Sequence, residues 1–152
     1  MGTVVLAGAT SGSTTLTPTD AVTATITLPS ATGTLVTQLA STYTATLTGC
    51  TTAPTYTVNY SLTGNVVTLR VGPITGTSNS TGKSLTGMPA ALWPTTQNRF
   101  VVFGSDNGSS SYASTANVET TGVMNFYYNL ENVWTASGTF TMRTMTLTYT
   151  LA

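Results

Sequence analysis

Histidine is absent from this sequence. Its absence removes the commonest general base, the Ser/His/Asp and Cys/His arrangements, and most zinc sites. Cysteine occurs once, at Cys50, which excludes an intrachain disulfide. No cation stands beside it in Gly49-Cys50-Thr51-Thr52 to lower its pKa, so an inert thiol is expected. Charge is equally scarce, with four Lys or Arg and four Asp or Glu making up 5% of the chain, against about 25% in ordinary globular proteins. The cations Arg70, Lys83, Arg99 and Arg143 stand singly, so no basic stripe neutralises phosphates and nucleic-acid binding is not expected. No apolar run reaches membrane-spanning length and no signal peptide opens the chain, so neither membrane insertion nor conventional secretion is indicated.

The carboxylates are Asp20, Asp106, Glu119 and Glu131. Glycosidases run on two carboxylates alone, so Asp106, Glu119 and Glu131 must be weighed as an acid/nucleophile pair. Their spacing puts no two of them on one face at one site, and a non-enzymatic protein without cofactor or metal is expected. Asp106-Asn107-Gly108 matches the start of a calcium loop, but the remaining ligands are missing and a turn is the simpler reading. Asn59, Asn79 and Asn107 open glycosylation-type triplets, which arise by chance in a chain this rich in Ser and Thr.

What the chain does have is threonine, about a quarter of all residues, β-branched and suited to strands. No window carries a sustained helical period, so the fold class is all-β. Residues 139–151 organise the rest, because apolar residues alternate there with Thr at the two-residue period of a strand. Met145, Leu147, Tyr149 and Leu151 share one face, while Phe140 and Met142 are one step out of phase. Arg143 and Thr144 mark the slip, which reads as a β-bulge or bend within a long central strand paired on both edges.

Upstream, residues 1–38 form an extended β segment with strands expected over 3–6, 14–16 and 22–28. It is too small to bury a core and is expected to pack on the main domain or on copies of itself. Residues 39–152 read as one antiparallel β-sandwich. Alternation runs through 42–47 and 55–62, and Gly64-Asn65 marks a two-residue hairpin into 66–71. Residues 73–87 read as a polar loop, and 88–94 leave room for one helical turn between Pro89 and Pro94. Residues 100–103 (Phe-Val-Val-Phe) read as a strand buried on both faces, and 104–111 as a polar loop. Residues 112–118 lead into a strand over 123–130 with Met124, Phe126, Tyr128 and Leu130 on one face and Val123, Asn125 and Tyr127 on the other. Residues 132–138 form a loop carrying Trp134.

Trp93, Trp134 and Tyr112 lie in or beside loops, where an aromatic face can stack on a sugar or partner. The commoner fate of a large aromatic is to cap the end of a core, and that alternative stands for both tryptophans. A surface with so few Lys and Glu cannot guard its strand edges, which points to shielding by identical copies.

Ser13-Thr14-Thr15-Leu16 followed by residues 24–35, with Leu28-Pro29-Ser30-Ala31-Thr32-Gly33-Thr34 at their centre, resembles the strand-and-turn segments of bacteriophage tail fibres. Tyr60 with Gly64-Asn65-Val66-Val67-Thr68-Leu69, residues 75–80, residues 85–94 with Met88-Pro89-Ala90-Ala91-Leu92-Trp93-Pro94, residues 134–139 and residues 147–151 resemble, in that order, the distal domain of phage and prophage tail fibres and related virion proteins. Each piece is of low complexity, so their order is more specific than any one of them. The resemblance implies a homotrimeric, jelly-roll-like β-sandwich on the exterior of a virion, made in the bacterial cytoplasm, adhesive or structural rather than catalytic. One departure is that tail fibres are long, whereas this chain holds one distal-type domain behind a short leader, as a fragment or a small decorating protein would.

Two functions are therefore expected. In the first, a tail-fibre distal domain binds host surface glycan or protein through residues 104–114 and 132–137, with Asn107, Tyr112 and Trp134 as contacts and three subunits supplying avidity. In the second, a capsid decoration or cement protein clamps neighbouring capsid subunits through residues 1–38, adding strands to their exposed edges. A carbohydrate-active enzyme or free-standing carbohydrate-binding module ranks below both.

Overall fold

The structure, a computed structural model, describes residues 4–7, 13–16 and 38–151. The chain divides into two compact units, Met1–Leu35 and Val36–Ala152. In the first, β1 (Val4–Ala7) pairs antiparallel with β2 (Ser13–Leu16), Val4 opposite Leu16 and Ala7 opposite Ser13. The strand expected over 22–28 and the extended piece after Pro29 lie outside the described residues.

The second unit is a curled, wholly antiparallel sheet of ten strands, the all-β sandwich expected from the alternation and jelly-roll-like as the tail-fibre resemblance implies. In chain order they are β3 (Gln38–Thr48), β4 (Thr55–Thr63), β5 (Val66–Val71), β6 (Ile74–Thr77), β7 (Lys83–Thr86), β8 (Asn98–Asp106), β9 (Tyr112–Val118), β10 (Met124–Tyr127), β11 (Thr139–Met142) and β12 (Met145–Thr150). Across the sheet they lie β12-β5-β4-β3-β7-β10-β9-β8-β11-β6. The chain passes from β11, near one end of this order, to β12, at the other end, through residues 143 and 144 alone. So short a link forces the sheet to fold back on itself. At the β6 margin, beside β11, Cys50 bridges Ser78, and Tyr56 Oη both donates to Thr75 O and accepts from Thr75 N, holding β6 against β3 and β4.

Strand alternation fills the space between the layers. Val67, Leu69 and Val71 of β5 face inward opposite Tyr149, Leu147 and Met145 of β12. Ala45, Leu47, Val58, Leu85, Met124, Phe126, Phe140 and Met142 continue one core around the curl. Thr63 lies opposite Val66 across the hairpin at Gly64-Asn65, and the positive φ of 61° at Gly64 is what the first position of a type II′ turn requires. A single 3-10 turn, Ala90–Leu92, sits between Pro89, its N-cap, and Pro94.

Several expectations are corrected. Residues 139–151 form two strands rather than one bulged strand. Both halves face one core, but β11 ladders with β6 and β8 whereas β12 ladders with β5 alone and is an edge, not a central strand. Residues 73–87 are not a loop, since β6 and β7 lie within them. They escape an alternation search because Ile74 is the one large apolar residue of β6, and one inward position of β7 is Lys83. Residues 104–106 extend β8, and 112–118 are themselves the strand β9. Finally, 100–103 is not buried on both faces. Period two sends Val102 inward and leaves Val101 67% and Phe103 57% exposed.

The inward tyrosines make the fold sensitive to base. Burial pushes the Tyr43 hydroxyl from 10.0 up to about 12 and raises Tyr149 further, with the nearby Tyr43 adding to the rise. A folded-state pKa above the unfolded value means stability that is complete below pH 10 and lost as pH climbs through the folded value. Denaturant titrations are expected to show unfolding free energy falling between about pH 10 and 12, by up to about 1.4 kcal/mol per pH unit for each tyrosine. Tyr43→Phe should flatten that decline, and an unchanged slope would contradict the assignment.

Candidate functional site

The loops that close one end of the sandwich are tied together by polar contacts between strand ends. Lys83 faces inward opposite Phe126 and is 2% exposed, its Nζ donating to Ser80 O and lying 5.8 Å from the centre of the Phe140 ring. Desolvation lowers its pKa, opposed by the charges of Cys50 and Asp106. Asp106 is also buried, and its Oδ2 accepts from Thr135 N at 3.0 Å and Thr135 Oγ1 at 2.7 Å. Ser78 Oγ donates to Thr135 O. The sequence around Cys50 lacks a cation, but the fold supplies Lys83. Burial outweighs that cation and the thiol pKa is raised.

The three residues singled out as contacts lie at this end but do not converge. Trp134 is corrected, because it is 1% exposed and belongs to the core. Its Nε1 donates to Phe126 O at 2.9 Å, and its ring stands edge-on to Phe140 at 4.6 Å. Gly104 makes the space for it: a Cβ there would lie 2.9 Å from Trp134 Cη2. Tyr112 opens β9 with 41% of its surface exposed and packs edge-on against Tyr128 at 5.4 Å, which in turn leans on Trp134 at 5.2 Å. Asn107 is exposed in the turn after β8 with φ at 49°, its N–H donating to Thr139 O at 2.8 Å. The carboxylates weighed as a pair are each engaged separately. Glu119 accepts from Gln97 and Asn125, and Glu131 pairs with Arg99 at 2.8 Å.

A different surface is the recessed one. A solvent-open groove of about 540 Å³ runs beside the loop 79–82. Its floor is the outer face of three neighbouring strands, where Thr48 lies opposite Ser84 and Ser84 opposite Asn125. The loop residues Asn79, Ser80, Thr81 and Gly82 form one wall, and Tyr127 and Val133 complete the lining, Val133 beside the loop because Trp134 N donates to Thr81 O at 3.2 Å. The wall is held close by Gly49, whose φ of 80° brings its backbone against Gly82 O, and by Asn79 N donating to Gly49 O at 3.1 Å. The sequence places Asn125 and Tyr127 on one strand face, but nothing in it brings Thr48 and Ser84 alongside, because β3, β7 and β10 are neighbours only in space.

No protein-family model and no curated protein matches this chain. Among solved structures, it is similar to the reovirus attachment protein sigma1, crystallised in complex with alpha-2,3-sialyllactose, at 11% identity and a TM-score of 0.48, over 97% of this chain and 95% of that one. A likeness that slight transfers no property between the two proteins.

Proposed function

We propose that this chain is a non-enzymatic structural protein of a phage virion exterior, the distal domain of a tail fibre, acting as a homotrimer that attaches to the host surface. The observation that carries this reading is the outer face of β8. Val101 and Phe103 stand open to solvent there, and among the described residues the far edge of the strand is laddered only from Gly104 to Asp106, with Phe103 O taken by Arg143 N. Soluble proteins guard such an edge with Lys, Pro or a bulge, and Phe100-Val101-Val102-Phe103 has none of these. Arg99 is paired with Glu131, and Arg143, the exposed cation whose N–H meets Phe103 O, has its guanidinium turned onto Ser111 Oγ at 3.2 and 3.3 Å, away from Val101. An identical subunit is therefore the partner it suits.

Sedimentation of the purified chain at micromolar concentration is expected to give a trimer, and Val101→Lys with Phe103→Lys to give monomers with an unchanged β-type circular dichroism spectrum. Binding to host cells should fall with the trimer, since three weak contacts hold where one does not. A wild-type chain that sediments as a single subunit overturns the reading. Binding to empty capsids that is abolished by deleting residues 1–38 replaces it with capsid decoration, and turnover of a surface polysaccharide removes the non-enzymatic part.

A further inference from the structure

We infer that the groove beside the loop 79–82 is the site that takes the host ligand, and that the ligand is an uncharged oligosaccharide lying across β3, β7 and β10. This names the ligand class within the attachment reading and rests on it. It also moves the contact surface away from Asn107 and Tyr112, neither of which lines the groove.

The groups that the groove offers decide the ligand class. Of the lining side chains only Lys83 bears a charge, and it is 2% exposed with its Nζ committed to Ser80 O. What remains is hydroxyl and amide. The side chains of Asn79, Thr81 and Tyr127 make no hydrogen bond within the described residues, and Asn125 gives its Nδ2 to Glu119 while its Oδ1 stays free to accept. Thr48, Ser84 and Asn125 repeat across the floor at the inter-strand spacing of about 4.8 Å; the Thr48 and Ser84 hydroxyls bond each other at 2.7 Å and keep lone pairs to accept from a ligand crossing the strands. Val133, exposed on the flank, and the Tyr127 ring offer the apolar surface that the C–H faces of a pyranose seek. Dense hydroxyl and amide groups beside an apolar flank, with no exposed charge, match a chain of neutral sugars. A phosphate or carboxylate would need exposed cations, and none lines the groove.

The test is an amide-resolved NMR titration of the full chain with a panel of neutral tri- and tetrasaccharides built from glucose, galactose, mannose, rhamnose and N-acetylhexosamines, with trigalacturonate as the charged comparison. At least one neutral member is expected to bind with a Kd of about 1 mM and to shift residues 79–84, 125 and 127. Asn79→Ala and Tyr127→Phe remove groups with no internal partner, so the fold should hold while binding weakens about three- to tenfold for each. Shifts confined to 107–112, binding of trigalacturonate alone, or no binding by any neutral member overturns the inference. Host-cell binding separates the two levels. If cells bind wild type and the groove variants equally, the groove assignment fails and attachment stands; if cells bind neither while sugars bind the groove, attachment fails and the groove stands.

Discussion

Trp134→Ala is expected to cost about 4–8 kcal/mol, enough to remove most of the stability of an ordinary domain. Emptying a fully buried indole site costs about 3–5 kcal/mol through lost burial and the cavity left behind. The Phe126 carbonyl, which accepts from Trp134 Nε1 at 2.9 Å, is left unpaired at about 1–3 kcal/mol more. Phe140 and Tyr128 lose the ring they lean on, and Gly104 beneath has no side chain to fill the gap. Urea unfolding followed by circular dichroism measures the loss, and Trp134→Phe should recover roughly half of it by keeping the ring contacts. A loss below about 1 kcal/mol would contradict the placement of Trp134 in the core. Any binding defect of the alanine variant would come from the fold, because the indole is too deep for a ligand to touch.

Gly49→Ala is the second large effect, expected at about 2–4 kcal/mol. At φ 80° an L side chain is strained, and a Cβ would overlap Gly82 O, a backbone atom that moves only if the loop moves. The hydrogen bond from Asn79 N to Gly49 O goes with it, and the groove wall opens. Gly82→Ala is the control, since nothing lies within 4 Å of a Cβ there and its cost should stay within about 0.5 kcal/mol. Thermal unfolding of the two variants, with amide shifts over residues 79–84, separates them. Equal stability would mean that the two backbones do not meet as described.

What the sequence discloses follows from range. The hairpin through Gly64-Asn65 and the inward rows of β4, β5 and β12 are legible because period two and one turn are local signals. β7 is not. Its partners on β3 and β10 lie some forty residues away, and Lys83 occupies a position where the pattern demands an apolar side chain. Phe100 to Phe103 misleads in the opposite sense, since four apolar residues in a row say nothing of whether both faces are covered. Trp134 has the sequence context of a loop aromatic. Its burial depends on Gly104, thirty residues earlier, and only the paired strands bring the two together. The groove is invisible for the same reason as β7, because its floor is assembled from three strands that are never consecutive in the chain.

The two-residue step from β11 to β12 also dictates when this domain can fold. Met145, Leu147 and Tyr149 pair with Val71, Leu69 and Val67, so β5 keeps one backbone edge unpaired until residue 150 is available. During synthesis the first hairpins wait, half-formed and sticky, for a strand made more than seventy residues later. Such a chain closes slowly, as topologies dominated by distant pairings do, and in a crowded cell it is most vulnerable to aggregation during that interval.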